Sequence, residues 1–348
     1  YSKENLQLIN MCGIAGIFNL NRDHQPRMKQ YLKVMEKLQI HRGPDGTGLW
    51  LHEKEFIGFA HQRLSIIDLS VGGDQPMTDD AGNWIVFNGE IYNFIELRRE
   101  LGESEFKTGS DTEVILKAYQ KWGKDCVNHF RGMFAFALWD EQEQSLFCAR
   151  DHFGIKPFYY AIVDGTFYFA SEIKAILPFL NEISTDIEGI KDYLTFQLVL
   201  GNKTLFKGVN QLLPAHLLTI KDGEISEKKY WEVYYEPDFS HSAKYFEEEL
   251  TECFKDSINI HLRSDVPVGA YVSGGVDSTS IASIASDYKG AENFMGFIGK
   301  FSSYGEAFDE SRFAQAAADQ KGFKLKSIDI TSQDFIKNIE KVIYHLDF

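Results

Sequence analysis

The stretch Ser273-Gly274-Gly275-Val276-Asp277-Ser278 decides the fold of the region around it. The apolar run Val266 to Val272 comes directly before it and predicts a buried parallel strand, and the small residues Thr279 to Asp287 after it predict a helix. A glycine pair between strand and helix permits a tight turn and aims several backbone N–H groups at one point, at the positive end of the helix dipole. The stretch therefore predicts a phosphate-binding loop, although not of the type in which Lys-Ser or Lys-Thr follows the glycines.

The pattern on both sides of this loop predicts an α/β region with a parallel sheet. Strands and helices alternate, and such alternation is typical of parallel strands joined by crossover helices. The predicted elements are a helix at Tyr245 to His261, a strand at Phe294 to Ile298, a helix at Glu310 to Lys321, a strand at Lys324 to Ile330 and a helix at Phe335 to Leu346.

The first two thirds of the chain are rich in strands and in aromatic residues. Many strands with flanking helices favour sheets packed in layers over a parallel repeat, so we predict an α+β layered sandwich. The predicted strands are Phe56 to Ala60, Leu64 to Ile67, Trp84 to Phe87, Met133 to Trp139, Ser145 to Ala149, Phe158 to Ala161 and Thr166 to Ala170, with more between Thr204 and Tyr235. The predicted helices are Met28 to Leu38, Tyr92 to Leu101 and Asp111 to Trp122.

Length and composition set limits on the class of protein. A chain of 348 residues with 44% hydrophobic residues, 28 Phe and 16 Tyr predicts two domains with separate cores. The net charge of -15 argues against a nucleic-acid partner, because phosphate backbones bind basic surfaces. The four cysteines lack metal-ligand spacing and nothing resembles a secretory leader or a membrane span, so a reducing cytoplasm is the simplest setting.

A Met-Cys pair lies eleven residues into the chain and begins a predicted strand, Met11 to Phe18. If residues 1–11 are a leader or propeptide that is removed, the α-amine of Cys12 can act as the base for its own thiol, because such an amine has a pKa of about 7.7–8.0. With residues 1–11 attached, that amine does not exist.

Seven motifs stand out in the first half of the chain, namely Met11 to Ile14, His41 to Asp45, Arg63 to Ile66, Asn88 to Asn93, Gly109 to Glu113, Gly132 to Phe136 and Arg150 to Pro157. Together they resemble the class II glutamine amidotransferase domain, which implies the N-terminal-nucleophile type of sandwich, with two antiparallel sheets between helices. Ser273 to Ser278 resembles the pyrophosphate loop of ATP pyrophosphatases, here that of the synthetase domain of glutamine-hydrolysing asparagine synthetases. The resemblance covers nearly all of the chain from Cys12 onward, in the family's order.

The resemblance implies a catalytic group for the first domain. Cys12 would attack the side-chain amide of glutamine and release ammonia, while the Asn88 side chain and the Gly89 N–H would hold the oxyanion. Arg63 would bind the α-carboxylate, and Asp111 with Glu90 would bind the α-ammonium. The implied glutamine-binding residues are Arg63, Leu64, Ser65, Ile66, Ile67, Asn88, Gly89, Glu90 and Asp111.

For the second domain the resemblance implies ATP and Mg²⁺. The loop would hold the β- and γ-phosphates, Asp277 would assist through the metal ion, and Val272 and Gly296 would lie beside the adenine. Aspartate would react with ATP, and ammonia would then displace AMP. The implied ATP-binding residues are Val272, Ser273, Gly274, Gly275, Asp277, Ser278 and Gly296.

Each of these residues also has a structural interpretation when taken alone. Cys12 fits a small buried position in a strand, Arg63 a surface ion pair, Glu90 a solvated turn and Asp111 a helix N-cap or first-turn acid. Asn88-Gly89 is first of all a turn signal at a strand end. We interpret His41 and His152, both beside turns, as structural.

These inferences give predicted boundaries. Residues 1–11 form the leader, 12–235 the glutaminase domain, 236–244 a linker and 245–348 a partial synthetase domain. Later segments of the family, a second glycine-rich segment and a lysine–glutamate pair, have no counterpart before Phe348, so we expect a synthetase domain truncated at its C-terminus. A homodimer is an expectation that rests on the family alone.

Three alternatives to asparagine synthesis stay open at this point. One is a relative that amidates another carboxylate, because the residues that select the acceptor lie mostly in the family's later segments. Another is a blocked or non-catalytic homologue that keeps residues 1–11. A sulfur-transferring tRNA enzyme with the same loop is disfavoured by the acidic charge and by the glutaminase half.

Overall fold

The computed structural model describes residues 11–305 and 309–347. The chain divides into two compact units, of which the first comprises the residues up to Val233 together with Asp347, and the second is Tyr234–Leu346. Within the described residues, no helix is both long and apolar enough to cross a membrane.

The first unit is built on two six-stranded antiparallel sheets. Their strands run in the orders β10-β8-β9-β1-β3-β2 and β12-β11-β7-β6-β5-β4. The strands are β1 (Gly13–Asn19), β2 (Gly46–Leu51), β3 (Ile57–Arg63), β4 (Met77–Thr78), β5 (Trp84–Ile91), β6 (Gly132–Asp140), β7 (Ser145–Arg150), β8 (Tyr159–Val163), β9 (Thr166–Ala170), β10 (Asn210–Gln211), β11 (His216–Lys221) and β12 (Glu224–Lys229).

Aromatic side chains fill the space between the two sheets. Phe18 on β1 meets Trp139 on β6 edge to face, with ring centroids 5.6 Å apart. Both side chains are fully buried, and burial of such rings dominates the energy of a core. On β1, Gly16 is required by this packing because a Cβ there would lie 2.2 Å from the ring of Phe169. The sheets are therefore held face to face.

Helices cover the outer faces of the two sheets. The unit contains α1 (Met28–Leu38), α2 (Phe94–Leu101), α3 (Asp111–Trp122) and α4 (Ile187–Phe196). Met28, Leu32 and Met35 of α1 are buried in a cluster with residues of the first sheet, and α2 and α3 pack on the second. The predicted α+β layered sandwich is confirmed.

Some predicted elements of this unit are wrong. Leu64 to Ile67 do not form a strand, because β3 ends at Arg63 and both backbone polar groups of Leu64 turn to the Cys12 thiol. Asn88-Gly89 is not a turn but lies inside β5, opposite Ala135 and Phe134 of β6. The sequence analysis also missed β2 and α4.

The second unit has the predicted alternation of helices and parallel strands. A three-stranded sheet runs in the order β13-β14-β15, and both strand pairs are parallel, as expected. Its elements are α5 (Ala243–His261), β13 (Gly269–Tyr271), α6 (Val276–Lys289), β14 (Met295–Lys300), α7 (Ser311–Lys321), β15 (Lys324–Asp329) and α8 (Ser332–Leu346). The strand before the loop is shorter than Val266 to Val272, and the prediction that it is buried is wrong, because Gly269 and Tyr271 are exposed. The loop nevertheless lies between a strand and a helix as predicted.

Candidate active sites in the two units

Cys12 lies directly before β1 and faces the end of β3. Its thiol donates to the carbonyl oxygen of Leu64 at 3.5 Å and accepts from the Leu64 N–H at 3.4 Å. Burial raises the pKa of the thiol to about 11, with Glu90 and Asp111 acting in the same direction and the Leu64 N–H and Lys156 opposing them. At neutral pH this thiol therefore needs a base before it can act as a nucleophile.

A small cavity of about 20 Å³ lies beside the Cys12 thiol. This volume is sufficient for about one water molecule, so a larger ligand has to displace part of the wall. The wall consists of Cys12, Arg63, Leu64, Ile66, Ile67, Gly73, Gln75, Phe87, Gly89, Glu90, Ser110, Asp111 and Thr112.

Most of the residues predicted for the first domain lie in this wall, although they come from distant parts of the chain. Ser65 and Asn88 are outside it. The Ser65 N–H donates to Asp45 at 2.9 Å. Asn88 is fully buried beside the wall residue Gly89, and the structure thus brings most of the predicted set to one place.

The amide of Asn88 is only partly used by the protein. Its Nδ2 is 3.5 Å from Ser171 Oγ, at the limit of a hydrogen bond, and its Oδ1 has no hydrogen-bond partner among the described residues. The Ser171 hydroxyl also accepts from the Ile14 N–H at 3.0 Å, which ties it to β1. Next to Asn88, Gly89 has no room for a side chain, because a Cβ would lie 2.2 Å from the Met133 carbonyl oxygen.

Arg63 is buried and its guanidinium is engaged by the loop that follows β3. It donates to the Ser70 carbonyl at 2.8 Å, to Asp74 Oδ1 at 2.7 Å and to the Asp68 carbonyl. The side chain of Asp74 is more than half exposed, so this ion pair is not an isolated buried one. Arg63 therefore forms an ion pair in addition to its place in the cavity wall, but its own side chain is buried and not at the surface as the structural interpretation had it.

Two buried carboxylates contribute negative charge to the same cavity. Asp111 is the first residue of α3, and its carboxylate accepts from the Ile91 N–H at 2.9 Å. The N-cap of this helix is Ser110, whose hydroxyl accepts from the Thr112 N–H, so Asp111 is a first-turn acid and not the cap. Burial raises the pKa of Asp111, while hydrogen bonds from backbone N–H groups oppose that shift. Together with Glu90, which is also buried, it makes the cavity suitable for a cation.

In the second unit, the loop between β13 and α6 is closed by two serines. Ser278 Oγ accepts from the Ser273 N–H at 3.1 Å and lies 2.9 Å from Ser273 Oγ. Gly275 is the N-cap of α6 and its N–H donates to Ser273 Oγ at 3.3 Å. Gly274 has φ +94°, and a Cβ there would be 2.4 Å from the Glu310 carbonyl oxygen. The glycine is thus required both by its backbone conformation and by its contact with Glu310.

A cavity of about 360 Å³ opens beside this loop. Its wall includes two of the predicted residues, Val272 and Ser273, but not Gly296. A Cβ on Gly296 would lie 2.9 Å from Leu325 and 3.0 Å from Phe323, so this glycine is packed in the core, and Ile298 and Gly299 of the same strand reach the cavity instead. The full wall is Tyr271, Val272, Ser273, Phe297, Ile298, Gly299, Phe301, Glu310 and Ile330.

Asp277 lies in the first turn of α6 and its side chain is exposed beside the loop. Within residues 11–305 and 309–347, no group of three or more His, Cys, Asp or Glu side chains is arranged to hold a metal ion. A single carboxylate fits Mg²⁺ only when ligand phosphates and water complete its coordination. The residues present therefore fit a metal ion that arrives with a phosphorylated ligand.

The comparison with known families assigns most of the chain to two domain families. Residues 11–231 match the glutamine amidotransferase domain family, and residues 249–348 match the asparagine synthase family. The chain belongs to the family of glutamine-hydrolysing asparagine synthetases.

Curated relatives in this family cover nearly the whole chain. Asparagine synthetase 1 of Bacillus subtilis is 38% identical over 97% of this chain and 53% of its own length, and putative asparagine synthetase 2 of Methanocaldococcus jannaschii is 34% identical over 97% and 68%. Amidase chyE of Penicillium rubens is 35% identical over 96% of this chain and 53% of its own length. The chain spans about half the length of the Bacillus and Penicillium relatives.

Sequence reasoning in this asparagine synthetase family member missed a buried ion network behind Cys12. The Arg42 guanidinium donates to the Cys12 carbonyl oxygen at 3.0 Å and to Glu172 at 3.1 Å, and Glu172 also contacts Lys174 at 2.7 Å and His41 at 2.9 Å. Burial alone would raise the pKa of Glu172, but its hydrogen bonds with His41 and Lys174 and the charge of Arg42 lower it to about 2. A signal was present in the sequence, since Glu172 and Lys174 are charges within the apolar run after β9.

Proposed function

We propose that the protein is a glutamine-dependent and ATP-dependent amidotransferase that makes asparagine from aspartate. The observation that carries this proposal is the cavity at Cys12, where a thiol, a buried guanidinium and two buried carboxylates surround one small space. Such a set matches the carboxylate, ammonium and reactive amide of a glutamine molecule. The phosphate-type loop in the second unit supplies the partner reaction.

In the glutaminase reaction, the thiol of Cys12 attacks the side-chain amide carbon of glutamine. Removal of residues 1–11 frees the Cys12 α-amine, which takes the thiol proton and then delivers it to the departing nitrogen, so that ammonia leaves and a thioester forms. Water then cleaves the thioester to give glutamate. Asn88 Nδ2 and the Gly89 N–H stabilise the oxyanion of each tetrahedral intermediate, and the weak 3.5 Å contact with Ser171 supports this role because it leaves Asn88 Nδ2 largely available.

Glutamine is oriented by its two charged groups. The α-carboxylate binds to Arg63, with the backbone of Leu64, Ser65, Ile66 and Ile67 along the side of the molecule, and the α-ammonium binds to Asp111 and Glu90. The buried position of both acids supports this assignment, because a carboxylate that has lost contact with water is strongly stabilised by a neighbouring cation. Asp111 then serves both as a first-turn acid of α3 and as a ligand.

The synthetase half activates the acceptor. The loop formed by Ser273, Gly274, Gly275, Asp277 and Ser278 holds the ATP phosphates, and Val272 lies beside the base. Asp277 would hold Mg²⁺, which would neutralise part of the phosphate charge. The cavity beside the loop supports this assignment, with Ile298 and Gly299 in the place first given to Gly296. The aspartate β-carboxylate attacks the α-phosphorus and releases pyrophosphate, and ammonia then displaces AMP from β-aspartyl-AMP.

The proposed domain organisation has a leader at 1–11, a glutaminase domain at 12–235, a linker at 236–244 and a synthetase domain from 245. We also propose a reducing cytoplasm as the setting. Homodimer formation is proposed as well, and it rests on the family resemblance alone. A second candidate function is amidation of a carboxylate other than aspartate, because the relatives at this level of identity do not all carry the name asparagine synthetase and one of them is named an amidase. AMP formation by the full-length protein, measured with aspartate and with other amino acids and carboxylates, separates the two candidates. No response to aspartate would exclude asparagine synthesis.

The decisive test of the first half is glutamate release from glutamine by the wild-type chain and by its Cys12→Ala form. The N-terminus of each preparation is determined by intact mass, so that chains with residues 1–11 are distinguished from chains that begin at Cys12. We expect glutamate release only from wild-type chains that begin at Cys12. Equal rates in the Ala form would remove Cys12 from the mechanism, and inactivity of correctly processed chains would favour a non-catalytic homologue.

A further inference from the structure

Lys156 is a buried lysine that the proposed mechanism does not use. It lies between β7 and β8, and only 4% of its surface is exposed. Its backbone is fixed on both sides, because its N–H donates to Asp151 at 2.9 Å and its carbonyl accepts from Arg150 at 2.8 Å. The ammonium nitrogen is 3.0 Å from the sulfur of Met11, the residue before Cys12. A thioether is a weak acceptor, so this contact does not explain why a charge is buried here.

The charges around Lys156 connect it with the thiol. Burial lowers the pKa of its ammonium, and the negative charges of Glu90 and Cys12 oppose that shift. Smaller contributions come from Arg42, which lowers the pKa, and from Asp151, which raises it. The Cys12 thiol in turn faces Glu90 and Asp111, both of which disfavour a thiolate, and Lys156 favours it. Lys156 is therefore a buried cation whose charge acts against two carboxylates at the nucleophile.

We propose that Lys156 is a positioning residue whose ammonium allows Cys12 to ionise between Glu90 and Asp111. This assignment rests on the proposed role of Cys12 as the nucleophile. The direction of the effect is the same for the thiol and for a freed Cys12 α-amine, because a neighbouring cation favours loss of a proton from either group. The first deprotonation of the thiol and α-amine of Cys12 therefore occurs at a lower pH when Lys156 is charged.

The test is the pH dependence of Cys12 alkylation by iodoacetamide, followed by peptide mass analysis. Lys156→Met removes the charge at similar length, Lys156→Arg keeps the charge, and Lys221→Met on β11 serves as a surface control. The exposed Cys253 is an internal reference for the reagent in every sample. We expect the inflection for Cys12 to move upward by about one pH unit in Lys156→Met. It should stay within a few tenths of a unit of wild type in Lys156→Arg and in Lys221→Met.

Glutaminase activity provides a second profile, in which the acid limb of kcat/KM should move upward in Lys156→Met by the same amount. A purely structural role would lower the rate without moving the inflection. Cys126 and Cys148 are buried, so their alkylation reports unfolding. If Lys156→Met exposes them, Lys156→Gln, which keeps hydrogen-bond donors, is measured in its place.

The outcomes separate this inference from the proposed function. Coincident Cys12 inflections in wild type and in a folded, uncharged variant would overturn the role of Lys156 even if wild type releases glutamate from glutamine. Absence of glutamate release from correctly processed wild type would overturn the proposed function, and the assignment of Lys156 to that reaction with it.

Discussion

The cavity at Cys12 and the loop Ser273–Ser278 are built in different ways. At the cavity, Arg63, Glu90 and Asp111 are each less than 10% exposed, and these side chains come from separate elements. The loop is one contiguous stretch whose shape depends on backbone conformation and on two serine hydroxyls, and Ser273 is exposed. The first site therefore depends on buried charges that the fold must hold together, whereas the second depends mainly on local chain geometry. Removal of one side-chain group should therefore have a larger free-energy cost at the first site than at the second.

The largest effect is expected from Glu172→Gln. This change leaves Arg42 without the carboxylate of Glu172 and removes one of the buried carboxylates at Lys174, which keeps its contact with Asp347 at 2.9 Å. Loss of one partner of a buried pair costs about 3–5 kcal/mol of unfolding free energy. Urea unfolding followed by tryptophan fluorescence measures it, because all five tryptophans, from Trp50 to Trp231, lie in the first unit. The exposed Glu143→Gln is the matched control and should show no measurable change.

The same variant has a defined pH dependence. Glu172 has a folded pKa of about 2, below its ordinary value of 4.5, so its ionised form stabilises the folded state. This contribution is fully present above about pH 4.5 and is lost as the pH falls through about 2. The difference between wild type and Glu172→Gln should therefore shrink when unfolding is measured at pH 3 instead of pH 7. A constant difference would show that packing, and not charge, is the cause.

The next effect in size is expected from Asn88→Ala. If Asn88 donates to the oxyanion, the substitution raises the barrier by about 2.7–4 kcal/mol, a loss of about 10²–10³ in kcat. The measurement is steady-state glutamate release, with KM for glutamine expected to change little. Asn181→Ala removes an exposed amide and should leave kcat unchanged. A rise in KM with normal kcat would assign Asn88 to ground-state binding instead.

A smaller effect is expected from Gly274→Ala in the second unit. Its φ of +94° and the 2.4 Å approach of a Cβ to the Glu310 carbonyl together cost about 1–3 kcal/mol. Hydrogen exchange of the α6 amides measures this loss, and ATP affinity should fall in parallel. Gly305→Ala is the matched control because Gly305 has φ +88° and a Cβ there would meet nothing within 4 Å among the described residues. If both variants behave alike, the contact with Glu310 plays no part.

The smallest effect is expected from Ser278→Ala. Its hydroxyl closes the loop by hydrogen bonds that are accessible to water, so its removal should cost about 0.5–1.5 kcal/mol in ATP binding. Titration calorimetry of the full-length protein measures this, and Ser280→Ala on the same helix, outside the loop, is the control. A loss as large as that of Asn88→Ala would contradict the contrast between the two sites.

The same contrast explains how much of the structure could be predicted. Local patterns were sufficient for α1 and α3, whose predicted limits are those observed, and for the strand–loop–helix order around Ser273. They failed at Leu64 to Ile67, where an apolar run resembles a strand but the backbone of Leu64 turns to the Cys12 thiol. They also failed at Asn88-Gly89, a pair that is typical of turns. Gly89 is a glycine for a different reason, because β5 and β6 approach each other too closely there for a side chain.

The candidate site was predictable only in part. The wall residues of the Cys12 cavity were named from family resemblance, since no local pattern joins Cys12, Arg63 and Asp111. Arg42 and Lys156 were within the recognised motifs but had no assigned role, because a single charged residue in a sequence gives no sign of what it faces. Their partners became apparent only from the tertiary structure.

The contacts of Arg63 have a consequence for the selectivity of the first site. Its guanidinium donates to oxygens of Asp68, Ser70 and Asp74 through three of its five N–H groups, and these bonds do not use the Nε–H and one Nη2–H. The three bonds hold the guanidinium in place, so an incoming carboxylate meets donors whose orientation is already fixed. A neutral group in the carboxylate position would make weaker bonds with these donors, and discrimination at this residue thus depends on the N–H groups that the loop after β3 leaves unused.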